Sequence, residues 1–314
     1  MRALITGASG FTGSWLVEAC AAGGDEVFAL SRRGTPPSSA LGRAVAVDLR
    51  DAAATRATFA DARPDVVYHL AALSSVAKSW EDPAQTLGEN VSTAVNVLEA
   101  LRHEAPRARV LWVSTCEVYG APAALPIFEN APVSPENPYA VSKASAEMLA
   151  SVYASSHGLD IVIARPFSHA GPGQRPIFLL SSLARQAAEG RLAGAERLRI
   201  QTGSPDTRRD FTDVRDVVRA YRLLVAHAGA GVYNVGSGGS VSALEQVSLL
   251  AELLAPVAVE HEVDPARVRQ HEVMDLRGDH SRLTGATGWE PEIPLRQTMA
   301  DTIAWWEREL ARER

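Results

Sequence analysis

Lysine is almost absent. Of the 31 basic residues in the 314-residue chain, only Lys78 and Lys143 are lysine, which leaves 29 arginines. Where arginine serves almost every cationic position, a lysine that remains points to a need for a compact ammonium. Cysteine is equally scarce. Cys20 and Cys116 are too few for a disulfide scaffold and read as free thiols of a reducing, cytoplasmic setting. The chain also lacks a basic excess. Its net charge of -6 argues against binding to nucleic-acid backbones. No stretch approaches the ~20 apolar residues of a membrane span. The opening apolar run, Met1 to Thr6, is far shorter than the core of a signal peptide. Internal repeats and low-complexity tracts are absent, and the nearest approach is the Gly-Thr-Pro-Pro-Ser-Ser loop at 34–39. No metal site is expected.

What is present is an ordinary globular composition, 46% hydrophobic and 22% charged. A chain of this length buries about three quarters of its unfolded surface and needs no covalent staples. Short apolar runs at 2–6, 26–30, 44–47, 65–70, 110–114 and 160–165 lack polar alternation, as expected of strands buried on both faces. Helical stretches at 12–22, 52–61, 84–104 and 138–157 separate them. That alternation predicts an α/β fold built on a doubly wound parallel sheet. Beyond Pro166, helices are expected at 177–190, 213–227, 242–254 and 295–312, with short strands at 198–202, 232–235 and 258–263. The expected division is a dinucleotide-binding Rossmann domain over 1–165 plus about 212–236. A smaller, interleaved α/β substrate domain takes about 166–211 and 237–314. Trp305 and Trp306, on the last helix, read as core.

The chemistry-bearing motifs follow the strands. Gly7-Ala8-Ser9-Gly10-Phe11-Thr12-Gly13 lies between the first strand and the first helix. Gly7 suits a tight turn, Gly10 a close approach to a pyrophosphate, and Gly13 close helix packing. The helix N-terminus adds free N–H groups and partial positive charge. After the second strand stands Ser31-Arg32-Arg33, where an NAD site carries an acid. Two guanidiniums and a hydroxyl suit a 2′-phosphate, so NADP(H) is expected ahead of NAD(H). Asp48 and Leu49 fall where the adenine ring would lie. Leu70, Ala71 and Ala72, after His69, suit a cofactor lying on the sheet edge.

Tyr139 and Lys143 are one helical turn apart, behind an Asn137 cap and Pro138 in the first turn. An adjacent ammonium favours the phenolate, so Lys143 is expected to lower the pKa of Tyr139. Thr115, after the fifth strand, is placed to hydrogen-bond a substrate carbonyl. Glu117 is either a second acid–base group or a positioning carboxylate.

Together the glycine motif, Thr115 and Tyr139-x-x-x-Lys143 resemble the extended short-chain dehydrogenase/reductase superfamily over almost the whole chain. The resemblance implies Thr115, Tyr139 and Lys143 as the catalytic set and a C-terminal domain that binds a nucleotide sugar. It also implies Pro166 beside the cofactor. Further stretches look like GDP-4-keto-6-deoxy-D-mannose reductases, which form GDP-D-rhamnose with NADPH or NADH. These are Ser74-Ser75-Val76 with Ser79-Trp80-Glu81-Asp82-Pro83, then 165–174, 209–218, 264–267, Gly278-Asp279 and Thr287-Gly288-Trp289. By the same resemblance Ser74, Ser75 and Ser168 would line the substrate, and Arg209 and Arg269 would hold its pyrophosphate or ribose. The alternative for both arginines is ordinary surface charge. Ser168 replaces the family's usual Asn, Glu272 its usual Asp, and Thr115 its commoner Ser.

The leading expectation is therefore an NADPH-dependent 4-ketoreductase of a nucleotide sugar. Thr115-Cys116-Glu117 also has the Thr-x-Glu order of GDP-mannose 4,6-dehydratases, and a 4-epimerase is a third reading. A non-catalytic NADP-sensing protein would share the glycine motif, but such proteins commonly lose the Tyr or Lys present here. A homodimer through the helices at 84–104 and 138–157 is expected by analogy.

Overall fold

The computed structural model describes residues 1–34, 42–268 and 273–312. In chain order the first half comprises β1 (Arg2–Thr6), α1 (Phe11–Ala22), β2 (Glu26–Ser31), β3 (Arg43–Ala46), α2 (Ala52–Ala62), β4 (Val66–His69), α3 (Val76–Glu81), α4 (Pro83–Glu104), β5 (Arg109–Val113), α5 (Pro138–His157) and β6 (Asp160–Pro166). The second half comprises β7 (Ser168–Ala170), α6 (Leu179–Leu192), β8 (Arg197–Thr202), β9 (Arg208–Arg209), β10 (Phe211–Asp213), α7 (Val214–His227), β11 (Gly231–Val235), β12 (Val241–Ser242), α8 (Ala243–Leu254), β13 (Ala258–Val263), β14 (Asp275–Leu276), α9 (Ser281–Thr287) and α10 (Leu295–Arg312).

Seven strands form one parallel sheet in the order β3-β2-β1-β4-β5-β6-β11. Both faces are covered, and side-chain alternation along β1 shows how. Ala3 and Ile5 point into a core shared with Leu16, Val17 and Cys20 of α1 and Val217, Tyr221 and Leu224 of α7. Leu4 points the other way, toward Phe59 of α2, Leu98 of α4 and Ala150 of α5. The strand order reverses between β1 and β4, and a doubly wound sheet opens its ligand crevice at the carboxyl ends there.

A third core joins α6, β8, α8 and α10 through Leu183, Ile200, Leu250, Met299 and Trp306. Trp306 is buried and its indole N–H donates to Ser181 Oγ at 3.0 Å, while Trp305 packs alongside. After α7 the chain returns to the main sheet as β11, pairing with β6. The segment predicted at 232–235 is thus a seventh strand of the large sheet. Strands β7, β9, β10, β12 and β14 have two or three residues each, too few for periodicity to reveal. Both thiols are buried and free. Among the described residues no helix is long and apolar enough to cross a membrane.

Candidate active site

The glycine turn closes the carboxyl end of β1. Gly7 has φ +70, and a Cβ there would meet Ala71 N at 3.0 Å. Gly10 caps α1 without a side chain and donates its N–H to Gly7 O at 2.9 Å. A Cβ on Gly13 would lie 2.2 Å from the same Gly7 oxygen. The turn is therefore flush against the start of α1 and the end of β4. The first-turn amides of that helix face outward with no intrahelical acceptor.

The Thr6 hydroxyl ties β1 to β4. Its oxygen accepts from Leu70 N and Ala71 N, both at 3.1 Å, so its proton goes to His69 Nδ1, 2.9 Å away. That fixes His69 as the neutral Nε2–H tautomer. Burial pushes its pKa down to about 3, and the ring packs against Trp112 at 4.3 Å. Ala72 follows, half-buried.

At the end of β2 the Ser31 Oγ is buried without a partner, and Arg32 reaches toward solvent. Past β3, Asp48 is engaged by Arg50, whose Nε and Nη2 reach both carboxylate oxygens at 2.6–3.1 Å. Those hydrogen bonds hold the Asp48 carboxyl down at about 2. Leu49 is buried in the core beneath. A glycine cradle, a free helix start and an unsatisfied Ser31 hydroxyl beside arginines all fit a phosphorylated dinucleotide.

The expected catalytic residues lie past β5. Thr115 is buried and accepts from Glu117 N at 3.3 Å. The buried Tyr139 phenol lies near this hydroxyl, which favours its ionised form. Asn137 caps α5 by accepting from Ala140 N at 2.8 Å, and its amide donates to Glu117 Oε2 at 3.0 Å. One side chain thus starts the helix that carries Tyr139 and holds Glu117 beside it. Lys143, also buried, donates to Val113 O at 2.6 Å.

The electrostatics differ from the sequence expectation. The pKa of Tyr139 is raised rather than lowered, because burial outweighs the lowering influence of the Thr115 hydroxyl and Glu117 adds to the rise. The Lys143 ammonium is turned to the Val113 carbonyl, and burial brings its own pKa down to about 8. The other lysine, Lys78, is exposed on α3.

The residues expected to line the substrate are spread wider. Ser74 is exposed, and Ser75 caps α3 by accepting from Lys78 N at 3.3 Å. Ser168 is half-buried at the start of β7, beyond Pro166, the buried last residue of β6. Arg209 donates to the carbonyls of Arg208 and Val273, both at 2.8 Å, within electrostatic reach of Cys116 beside Thr115. Arg269 lies outside the described residues, as does Glu272.

Several organising residues escaped the sequence reading. Asn90 on α4 clamps the loop after β4, accepting from Leu73 N at 2.7 Å and donating to Leu73 O at 3.1 Å. It also donates to Ser142 Oγ at 2.8 Å, and Ser142 donates to Tyr139 O at 2.7 Å. An Asn on an apolar helix stripe was the available signal. Asp210, fully buried, accepts from the N–H and hydroxyl of Ser237 and the amides of Gly238 and Gly278. It pins two loops to the segment carrying Arg209. His169 joins the two halves: its Nε2 meets Thr12 Oγ1 at 2.9 Å and its ring stacks on Phe11 at 6.0 Å.

A seven-stranded Rossmann-like sheet with a glycine turn and a buried Thr-Tyr-Lys group defines an NAD(P)-dependent extended short-chain dehydrogenase/reductase. Residues 4–302 match the model of the GDP-mannose 4,6 dehydratase family, and the chain belongs to that family. It is 42% identical over 253 residues to the GDP-6-deoxy-D-mannose reductase of Pseudomonas aeruginosa, covering 80% of this chain and 83% of that one. The solved structure of RMD from Pseudomonas aeruginosa, complexed with NADPH, superposes with a TM-score of 0.83 at 36% identity, covering 98% and 99% of the two chains. UDP-glucose 4-epimerase from Mycolicibacterium smegmatis is 34% identical, with 98% of each chain covered.

Proposed function

We propose that the protein reduces the 4-keto group of a nucleotide-linked 4-keto-6-deoxyhexose, with GDP-4-keto-6-deoxy-D-mannose as substrate and GDP-D-rhamnose as product. The buried Thr115–Tyr139–Lys143 group past the carboxyl end of β5 carries this reading. NADPH, when bound, supplies the hydride. Gly7, Gly10 and the start of α1 hold the pyrophosphate, and Ser31, Arg32 and Arg33 favour the 2′-phosphate. Tyr139, protonated at neutral pH, gives its proton to the C4 oxygen as general acid. Thr115 donates to the same oxygen and orients it. Lys143 holds the nicotinamide ribose from its place beside Val113. The identity to a GDP-6-deoxy-D-mannose reductase supports the choice of sugar nucleotide.

One observation favours a second reading. Asn137 fixes a carboxylate, Glu117, beside Tyr139, where a dehydratase would need a base for C5. Absorbance at 340 nm separates the two. Net NADPH oxidation with GDP-4-keto-6-deoxy-D-mannose, retained in Glu117→Gln, is the expected result. Conversion of GDP-mannose to a 4-keto sugar without net cofactor use, lost in Glu117→Gln, would establish the dehydratase instead.

The division into a cofactor domain (1–165 with 212–236) and a substrate domain belongs to the same proposal. So does a homodimer through α4 and α5, supported by the exposed stripe of Val141, Met148 and Val152. The buried free thiols suit a cytoplasmic setting.

A further inference from the structure

The ends of β2 and β3 converge on a carboxylate supplied from α4. Glu89 Oε1 accepts from Arg50 Nη1 at 3.1 Å, and its Oε2 lies 3.7 Å from Arg32 Nη1. Gln85 Nε2 donates to the same Oε1 at 2.9 Å. The Glu89 side chain is 16% exposed, against 60% for Arg32 and 45% for Arg50. Two solvent-reaching guanidiniums therefore share the two oxygens of one largely buried anion. A phosphate monoester between the same guanidiniums would present the same pattern of charge and acceptors.

We propose that Arg50 joins Arg32 in binding the 2′-phosphate of the cofactor, and that Glu89 is the internal counter-ion which this phosphate displaces. The inference rests on the NADPH reading above and goes beyond it, because neither Arg50 nor Glu89 belongs to the glycine or Ser31-Arg32-Arg33 motifs. The mobility of the partners is unequal. Arg32 sits on a long, exposed stem and can turn from a carboxylate to a phosphate, while Arg50 has Nη1, the one nitrogen not held by Asp48, to exchange. Glu89 is anchored mid-helix with Gln85 one turn before it and cannot follow. Asp48 keeps its grip on Arg50 and fixes where that guanidinium can reach. When a dianion enters, Glu89 loses cations and faces like charge. Glu89 thus weakens the 2′-phosphate contribution and sets how strongly the phosphorylated cofactor is preferred.

Calorimetry on the full chain with 2′,5′-ADP and 5′-AMP as probes tests this without any sugar substrate. The readout is the ratio of the two dissociation constants, 5′-AMP over 2′,5′-ADP. Glu89→Gln keeps the shape and is expected to raise the ratio roughly 2- to 5-fold, the scale of a partly exposed ion pair. Arg50→Ala is expected to lower it about 10-fold, the loss of a charge-assisted contact. Arg50→Gln, which retains hydrogen-bonding ability beside Asp48, should lower it in the same direction. Glu89→Gln added to Arg50→Ala should then gain less than it does alone, since the two act through one contact. An unchanged ratio in both Arg50 variants, or a lower ratio in Glu89→Gln, would overturn the inference. A ratio near one in the unmodified protein would instead sink the NADPH reading itself.

Discussion

Replacing Gly13 with alanine should damage cofactor binding far more than its single methyl suggests. The added carbon would sit 2.2 Å from Gly7 O and 2.9 Å from Ala8 Cα, both main-chain atoms. A carbon–oxygen contact settles near ~3.3 Å, so the start of α1 and the glycine turn must part by about 1 Å. No flexible side chain can absorb that shift. Overpacking of this kind costs roughly 1–3 kcal/mol of stability. The functional cost follows from where the shift falls, because the displaced atoms are those that would receive the pyrophosphate. A misplaced N–H group loses a charge-assisted hydrogen bond worth roughly 1.5–3 kcal/mol, or about one to two decades of affinity. Gly88 provides the comparison. It lies inside α4 with ordinary φ, and a Cβ there meets nothing within 4 Å. Gly88→Ala should stabilise the protein by ~0.5–1 kcal/mol through helix propensity alone. Thermal unfolding and fluorescence titration with NADPH, on both variants, give the assay. Unchanged affinity and melting temperature in Gly13→Ala would refute the reasoning, as would a Gly88→Ala variant that unfolds more readily than Gly13→Ala.

Four further outcomes are expected. Tyr139→Phe should lose turnover by orders of magnitude while NADPH affinity, measured by titration, stays nearly intact. Lys143→Arg should also be poor, because a planar guanidinium does not fit the buried site where Nζ reaches Val113 O at 2.6 Å; full activity there would defeat the argument from lysine scarcity. Glu147→Leu leaves Arg165 buried and unpaired and should cost ~3–5 kcal/mol in urea unfolding, whereas Glu147→Leu with Arg165→Met should recover much of it; equal losses would show that the pair is not coupled. His69 is held neutral with its pKa depressed from 6.5 to about 3, so its contribution to stability is complete above pH 6.5 and drains as pH falls toward 3. That amounts to at most ~4–5 kcal/mol, and His69→Gln should flatten this part of the stability–pH curve; an identical slope in both proteins would contradict the assignment.

The local sequence determined most of the scaffold. Continuous apolar runs such as 2–6 and 160–165 can be satisfied only between two covered faces, and the intervening helices dictate parallel crossovers. Asn137 and Pro138 fixed the start of α5, which places Tyr139 and Lys143 on one face through local geometry alone. The glycine spacing was legible for the same reason, since φ and Cβ clashes are properties of a few neighbouring residues. Tertiary structure decided what depends on burial and on partners distant in sequence. Spacing suggested that Lys143 would lower the pKa of Tyr139, but desolvation of the phenol won, because the site closes over both groups and the ammonium turns to Val113. Asp48 reads alone as an adenine contact, yet folding brings Arg50 onto both its oxygens and sets Glu89 against Arg50 from 39 residues away. The bonds of Asn90 to Leu73 and Ser142, and of Asp210 to Ser237 and Gly278, likewise cross 17 to 68 positions. Such pairings leave no periodic trace in the chain. They exist because a buried polar group must find a partner, and only the folded molecule decides which partner is near.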